Sequence, residues 1–287
     1  MTDSIGQNKA HDYHLDVPAP EQGFFAKGLG HGDWGAKNRL SHLFNPKSGN
    51  TVMLAFDHGY IMGATAGLER MDVTIAPLCR YADVLMATRG AIRSCIPPTV
   101  HNAICLRATH DASVLIDDMS TGNGVGADME AAIRMNASAV AIQCFIGGAG
   151  EARSLETLCR AVDAGERYGI PVLGVTAVGK EMARTTQYFL LAARMLAELG
   201  ASFVKTYYCD DFEKVVAACP VPIVIAGGKK LPEDEALTMA YRAISDGARG
   251  VDMGRNIFQS EHPAAMCRAV AKIVRERFAD RGAFQLD

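Results

Sequence analysis

The amino-acid sequence predicts an α/β protein, and within that class a single (β/α)8 barrel that follows an N-terminal extension. The chain has 287 residues, of which 49% are hydrophobic and 21% charged, enough for one large core. Past residue 50, short apolar runs rich in β-branched residues alternate with longer segments of helical spacing, as in parallel sheets built from βαβ units. Eight such runs occur. This count favours a closed barrel over a doubly wound open sheet, which would show the same alternation.

The predicted strands share an apolar centre and a polar or glycine-bearing end, and they cover residues 51–58, 82–88, 103–109, 137–145, 171–178, 202–208, 221–228 and 250–256. Between them, residues 155–169 and 186–200 carry apolar residues at spacings of three and four and end in glycine, which predicts helices. Pro232, followed by three acidic residues, predicts a further helix start. Pro97 and Pro98 predict a short or irregular connection after the second strand.

Residues 1–50 precede the alternating pattern and are interpreted as a polar tail followed by an arm, outside the barrel or on a neighbouring subunit. The arm contains Trp34, the one tryptophan of the sequence. Residues 51–287 are predicted to form the catalytic barrel domain. The N-terminus has no apolar segment typical of a secretory signal, and no apolar run reaches the roughly 20 residues that a membrane span needs. We therefore expect a cytoplasmic protein.

Composition also limits the partners and cofactors. The formal net charge is -3 and the pI is about 6.2, so no broad basic field is available for nucleic acid or an anionic membrane. The eight cysteines form no C-x-x-C pair and are expected to be reduced, mostly buried thiols. The eight histidines show no metal-ligand spacing, which argues against a bound metal. We expect no resident cofactor.

Lys205 carries the strongest chemical signal in the sequence. It lies within a predicted strand, inside the apolar run ASFVKTYY. A lysine that points into a barrel is desolvated, which disfavours the ammonium form and leaves an amine that can condense with a ketone. The resulting iminium withdraws electrons, so a neighbouring carbon–carbon bond can break. The alternative is a structural lysine that reaches solvent or pairs with an acid. The apolar strand favours catalysis, and Tyr207 in the same segment is a candidate substrate contact.

Two glycine-bearing strand ends predict a phosphate site. The seventh strand ends in AGGKK, with Gly227, Gly228 and Lys229, and the eighth ends in MGRN, with Gly254 and Arg255. Glycines let a phosphate approach the backbone, helix N-termini supply N–H donors, and arginine can bind an anion through two hydrogen bonds. Loops after strands seven and eight frequently bind phosphate in this fold. Either segment alone is a weak signal; the two together are stronger.

Polar residues also end the first two strands. Asp57 and His58 lie in LAFDHGY, and Arg89 lies in ATRG. At the barrel mouth, Asp57 can move protons and His58 can orient a substrate. Asp57 can equally be a core carboxylate paired with a neighbouring lysine. Arg89 can bind a second anionic group or pair with Asp57, although a lone arginine is more often structural.

Six segments resemble the archaeal-type class I aldolases: AFDHGY, ADVLMATRG, VGK, VKTYY, VIAGGKK and GVDMGRNIFQ. The resemblance covers essentially the whole barrel and is closest to a bacterial thiolase branch of that family, linked to autoinducer-2 breakdown. It implies that Lys205 forms the Schiff base and that Asp57 handles protons. It also implies a decamer of two five-membered rings and a phosphate site made of Gly227, Gly228, Gly254 and Arg255.

One departure from the family pattern bears on the reaction. The sugar-phosphate aldolases carry a tyrosine general acid at the end of strand five, whereas this chain has Thr176 in VTAVGK. An aldolase must protonate or deprotonate the hydroxyl on the electrophilic carbon, and a thiolase has no such need. The resemblance therefore implies cleavage of a phosphorylated diketone, with the acetyl half passed to coenzyme A as co-substrate and dihydroxyacetone phosphate released.

The group that accepts the acetyl half of the substrate is the least constrained part of this prediction. After strand three the chain reads RATHDASVLIDDMSTGNG, where the thiolase branch has an R-A-S-G-like turn, and this loop borders the mouth. The glycine run 120–128 does not match a dinucleotide-binding fingerprint and is predicted to be a flexible loop. A class I fructose-bisphosphate aldolase and a non-catalytic phosphosugar-binding protein remain alternatives. Thr176 argues against the first, and Lys205 with Asp57 against the second.

Overall fold

The computed structural model describes residues 23–178 and 184–276, and eight parallel strands in it close into a barrel. We label them β1 to β8 in chain order: Thr51–Ala55, Val84–Ala87, Ala103–Arg107, Ala139–Cys144, Val172–Thr176, Phe203–Tyr207, Ile223–Ala226 and Gly250–Met253. Each strand pairs with the next along the chain, and β8 pairs with β1. Every strand lies within a predicted run, so the predicted (β/α)8 barrel is confirmed.

Burial on both faces of the sheet explains the continuous apolar runs. Every residue of the eight strands except Tyr207 is buried, because side chains fill the barrel on one face and helices cover the other. Where the barrel closes, the backbones approach closely at Thr51, which pairs with Gly250. A Cβ atom on Gly250 would lie 2.2 Å from the carbonyl oxygen of Thr51, so this position requires glycine.

The longer helices agree with the predicted periodicity, and the shorter ones occupy the loops. In chain order, α1 to α11 are Trp34–Leu43, Gly59–Met62, Met71–Thr74, Arg89–Cys95, Met129–Arg134, Glu151–Tyr168, Thr186–Glu198, Phe212–Ala218, Glu233–Ser245, Arg255–Phe258 and Pro263–Glu276. Helix α6 ends at Gly169, whose φ of +64° is the left-handed conformation that glycine adopts readily. The connection predicted to be short or irregular contains the seven-residue α4, which ends before Pro97.

The described part of the arm covers the N-terminal end of its own barrel. Helix α1 begins after Asp33, whose carboxylate accepts a hydrogen bond from the Ala36 N–H group. Phe44 is buried and packs edge-on against Phe203, with the ring centroids 5.3 Å apart. Arg39 donates a hydrogen bond of 3.0 Å to the carbonyl oxygen of Gly169. Residues 1–22, within the predicted tail, lie outside the described residues, and the division at residue 50 stays a prediction.

The loop after β3 is more ordered than the sequence predicted. Thr109–His110 pairs with Gly124–Val125 in a short antiparallel ladder, and a 3-10 turn covers Met119–Gly122. Part of the glycine run predicted to be a flexible loop is therefore a small hairpin, held by main-chain pairing that local composition does not reveal.

The described residues also bear on the expectations for membrane spans, metal sites and cysteines. No helix in them is long and apolar enough to cross a membrane. No three of their histidine, cysteine, aspartate and glutamate side chains cluster closely enough to hold a metal ion. All eight cysteines are free thiols, five of them buried.

Candidate active site

A cavity of about 440 Å³ opens at the C-terminal ends of the strands. Ten of the eleven residues singled out in the sequence line it: Asp57, His58, Thr176, Lys205, Tyr207, Gly227, Gly228, Lys229, Gly254 and Arg255. The eleventh, Arg89, is not among the lining residues; it is exposed at the start of α4. The position of the cavity is the usual one for active sites in this fold.

Lys205 points into the barrel and meets a buried acid. Its Nζ atom lies 2.8 Å from Oδ2 of Asp252, which stands on β8, and 3.7 Å from the sulfur of Met86. Asp252 is 1% exposed. Burial raises the pKa of Asp252, and the charge of Lys205 opposes that rise. The two groups therefore form a buried pair that can exchange a proton, and the sequence analysis did not anticipate Asp252.

Among the described residues, Asp57 is paired with Arg107 and not with Arg89 or a lysine. The Nε and Nη2 atoms of Arg107 each lie 2.7 Å from Oδ2 of Asp57, and Nη1 donates a 2.8 Å hydrogen bond to Gln143. Burial alone would raise the pKa of Asp57, but the Arg107 charge and hydrogen bond hold it well below the ordinary value of 3.8. The suggested pairing with Arg89 is wrong because the chain turns outward into α4 after β2, whereas Arg107 ends the buried β3.

His58 lies beside this pair as a neutral base. Its Nδ1 atom is 3.8 Å from Oδ1 of Asp57, and its ring packs edge-on against Phe258. Burial lowers the pKa of His58 to about 4, although the charge of Asp57 acts in the opposite direction. Within the described residues, Nδ1 is buried without a hydrogen-bond partner. At neutral pH, His58 can therefore accept a hydrogen bond from a bound molecule.

The loops after β7 and β8 form one continuous wall of the cavity. Asn256 connects them, since its side-chain amide donates to the carbonyl oxygen of Gly227 at 2.6 Å and its oxygen accepts from the Leu231 N–H group at 2.8 Å. Gly254 must be glycine because a Cβ atom there would lie 2.3 Å from the carbonyl oxygen of Ala55. The Nε atom of Arg255 is buried without a partner among the described residues. This wall carries positive charge and suits an anion.

Thr176 and Tyr207 occupy the part of the cavity next to Lys205. Thr176 is 2% exposed, and within the described residues its hydroxyl has no hydrogen-bond partner. The ring of Tyr207 stacks under the guanidinium group of Arg184, whose carbon lies 4.2 Å from the ring centroid. Of the neighbouring VGK segment, Gly179 and Lys180 lie outside the described residues.

A second polar pair, Tyr60 and Asp111, stands at the cavity with Tyr60 alone of the two lining it, and no motif in the sequence connects these residues. The hydroxyl of Tyr60 donates a 2.5 Å hydrogen bond to Oδ2 of Asp111. Asp111 is 9% exposed, and its Oδ1 accepts a 2.8 Å bond from the amide of Asn123. Burial, together with the nearby carboxylate of Asp111, raises the pKa of Tyr60. The pair joins the loop after β1 to the loop after β3.

A (β/α)8 barrel with a buried lysine on β6 and a glycine-lined wall over β7 and β8 defines an enzyme of the class I aldolase type. The chain belongs to the DeoC/LacD family of aldolases, whose family profile matches residues 51–260.

Curated relatives match this chain along almost its whole length. A 3-hydroxy-5-phosphonooxypentane-2,4-dione thiolase of Enterobacter sp. (strain 638) is 54% identical over 99% of this chain and 96% of its own length. The thiolase of the same name from Salmonella typhimurium (strain LT2) is 52% identical over 100% of this chain and 98% of its own. Among solved structures, an archaeal fructose-1,6-bisphosphate aldolase with its catalytic lysine covalently bound to the carbinolamine intermediate is 25% identical. It has a TM-score of 0.73 and covers 83% of this chain and 99% of its own.

Proposed function

We propose that this enzyme transfers the acetyl group of 3-hydroxy-5-phosphonooxypentane-2,4-dione to coenzyme A, through a Schiff base on Lys205. The products are acetyl-CoA and dihydroxyacetone phosphate. The observation that carries the proposal is the buried Lys205, 2.8 Å from Asp252, in a chain 54% identical to a thiolase of this substrate along nearly its full length. Thr176, in place of a tyrosine general acid, favours acetyl transfer over aldol cleavage.

The amine of Lys205 begins the reaction by attacking the ketone beside the phosphate-bearing carbon. Asp252 takes the proton that the amine must lose, and its burial at ion-pair distance from Lys205 suits this exchange. Loss of water from the carbinolamine gives the iminium. Asp57 stays ionised beside Arg107 and stabilises the positive charge that develops at the iminium nitrogen.

The carbon–carbon bond between the acetyl group and the adjacent hydroxyl-bearing carbon then breaks. Its electron pair moves toward the iminium nitrogen and leaves an enamine of dihydroxyacetone phosphate, while the thiol of coenzyme A takes the acetyl group. The enamine carbon gains a proton, and water releases dihydroxyacetone phosphate from Lys205. His58, neutral because burial lowers its pKa to about 4, accepts a hydrogen bond from the substrate.

The phosphate is placed against the wall formed by Gly227, Gly228, Lys229, Gly254 and Arg255. Arg255 is expected to supply a charge-assisted hydrogen bond through its unpartnered Nε atom. Anchoring the phosphate there holds the neighbouring ketone near Lys205, and the acetyl end then extends across the cavity toward the loops after β1 and β3.

Replacing Arg255 with alanine is expected to raise KM for the phosphorylated substrate roughly 10- to 100-fold, the equivalent of one hydrogen bond to a charged group, with a smaller effect on kcat. Steady-state kinetics with saturating coenzyme A measure both constants. Arg93→Ala is the matched control, because Arg93 is exposed on α4, outside the cavity. An unchanged KM for Arg255→Ala would remove this wall from the phosphate site.

The proposed activity is tested by one parallel cleavage assay on the purified protein. One arm contains the phosphorylated pentanedione with and without coenzyme A, the other contains fructose 1,6-bisphosphate, and both are read for dihydroxyacetone phosphate. Product in the first arm alone, dependent on coenzyme A and accompanied by acetyl-CoA, supports the thiolase. Product from the sugar bisphosphate alone would instead make the chain an aldolase, the activity named for the archaeal neighbour of TM-score 0.73.

We also propose that the chain assembles into a homo-oligomer, a decamer by its resemblance to the archaeal-type aldolases. Trp34, at the start of α1, is 79% exposed, and a large exposed aromatic side chain is typical of an interface. Sedimentation velocity is expected to give a mass of ten chains. A monomer at micromolar concentration would contradict this assembly.

A further inference from the structure

The cavity has two chemically different walls, and their places in the barrel are fixed. Strands β3 and β7 are four positions apart in a closed ring of eight, so their loops face each other across the mouth. The wall over β7 and β8 carries the glycines, Lys229 and Arg255. The second wall runs from α2, which follows β1 beside β8, to the loop after β3, which faces β7. The Val114 N–H group joins these two parts by donating to the carbonyl oxygen of Ile61 at 3.0 Å. Val114 and Ile116 line the cavity there.

Tyr60 is a hydroxyl-bearing residue of this second wall and one of the residues that line the cavity. Its ring lies 5.8 Å from the guanidinium carbon of Arg107, and its hydroxyl proton is directed to Asp111. The oxygen of Tyr60 is therefore left as an acceptor. Asp111 does not line the cavity, and Asn123 holds its other oxygen. A group bound in the cavity can thus give a proton to Tyr60 while Tyr60 gives its own to Asp111.

Among the described residues that line the cavity, the carboxylates and the histidine are committed elsewhere. Asp57 is engaged by Arg107 at 2.7 Å, and Asp252 lies 2.8 Å from Lys205. His58 lies on the phosphate side, where a Cβ atom on Gly254 would be 2.9 Å from its ring carbon Cε1. An attacking thiol must lose its proton, because the thiolate is the nucleophile. That proton needs an acceptor on the acetyl side of the substrate.

We propose that Tyr60 takes the proton of the attacking coenzyme A thiol and that Asp111 receives the tyrosine proton in the same step. This inference rests on the proposed thiolase function and assigns the residue that deprotonates the thiol of coenzyme A. The thiol sulfur bonds to the acetyl carbon, its proton passes to Oη of Tyr60, and the original tyrosine proton passes to Oδ2 of Asp111. The tetrahedral adduct then collapses, the carbon–carbon bond breaks, and its electron pair forms the enamine on Lys205.

The proton balance closes within the same cycle. Asp111 returns its proton through Tyr60 to solvent, and the enamine carbon takes up one proton from solvent before dihydroxyacetone phosphate leaves. Over one turnover, the thiol therefore loses one proton and dihydroxyacetone phosphate gains one, so the net count of protons is zero. Burial raises the pKa of Tyr60, so its phenol remains protonated between turnovers and acts as a relay. Tyr60 is the catalytic residue in this step, and Asp111 is a positioning residue behind it.

The test separates the two halves of the reaction. Tyr60→Phe and Asp111→Asn are expected to lower kcat for acetyl-CoA formation about 10²-fold, the size of a lost general base, while KM for coenzyme A stays within twofold. Exchange of the C3 hydrogen of dihydroxyacetone phosphate in D2O requires Lys205 but no thiol, so it should remain at the wild-type rate in both variants. Leu115→Ser is the matched control, because Leu115 is 89% exposed and does not line the cavity.

A second measurement distinguishes a base from a structural tyrosine. With a more acidic small thiol, such as 2,2,2-trifluoroethanethiol, the loss caused by Tyr60→Phe should shrink, since less of the barrier comes from removing the proton. An equal loss with both thiols, or lost hydrogen exchange, would overturn the role of Tyr60. Absence of any coenzyme A-dependent cleavage in the wild type would instead overturn the proposed function itself.

Discussion

Replacing Lys205 with methionine is expected to lower turnover of the phosphorylated diketone by at least about 10³-fold, because the covalent intermediate can no longer form. Methionine keeps most of the side-chain volume and removes the amine. Because burial already raises the pKa of Asp252, that carboxyl can take up a proton once Lys205 is gone, and the fold should survive. The measurement is single-turnover release of dihydroxyacetone phosphate.

Borohydride trapping gives the matching chemical readout. In the wild type, reduction with dihydroxyacetone phosphate present should attach one adduct to the peptide that carries Lys205, and Lys205→Met should show none. Lys214→Met is the control, since Lys214 lies on the surface in α8, paired with Asp211. Turnover that survives in Lys205→Met, or an adduct on another lysine, would rule out the Schiff base assigned to Lys205.

Replacing Arg107 with methionine is expected to lower the free energy of unfolding by about 3–5 kcal/mol, because it leaves the Asp57 carboxylate buried and unpaired. The side chains of Arg107 and Asp57 are 7% and 5% exposed, so solvent cannot replace the lost contact. Equilibrium urea unfolding at pH 7 measures the loss. The double variant Arg107→Met, Asp57→Asn removes the charge as well and should recover a large part of that stability.

The pH dependence of this loss has a definite sign. In the wild type, the pKa of Asp57 lies below its ordinary value of 3.8, so the pair stabilises the protein above about pH 4 and the contribution falls as the pH drops toward the folded pKa. In Arg107→Met, burial is unopposed by Arg107 and the pKa rises. The difference between wild type and variant should therefore be largest at neutral pH and shrink as the pH falls through the raised pKa of Asp57 in the variant. A difference independent of pH would point to lost packing alone.

The features that could be predicted from the sequence are each visible within a few consecutive residues. Lys205 stands out because a charged residue interrupts an otherwise apolar strand, and Gly254 because a strand ends in glycine before a helix. Continuous apolar runs located all eight strands, because a parallel barrel buries both faces of each strand. These signals lie within a few residues of one another, so one sequence was enough to find them.

The pairings that organise the site have no local signal. Arg107 meets Asp57 across 50 residues of sequence, and Tyr60 meets Asp111 across 51. An arginine inside AICLRA could have marked Arg107 as buried and in need of an acid, but not which acid. Arg89 was the nearer candidate in the sequence, and the outward turn into α4 removes it from the cavity.

The sequence by itself determined a barrel, the strand that carries the lysine, and the two glycine-bearing strand ends that it predicts to bind phosphate. Only the tertiary structure decided which charges meet. Closing eight strands into a ring places β6 and β8 on one interior surface, which brings Asp252 to within 2.8 Å of Lys205. It also lets the loops after β1 and β3 meet across the end of β2, where Tyr60 contacts Asp111. A buried charge is stable only beside a partner, and closure of the barrel selects that partner.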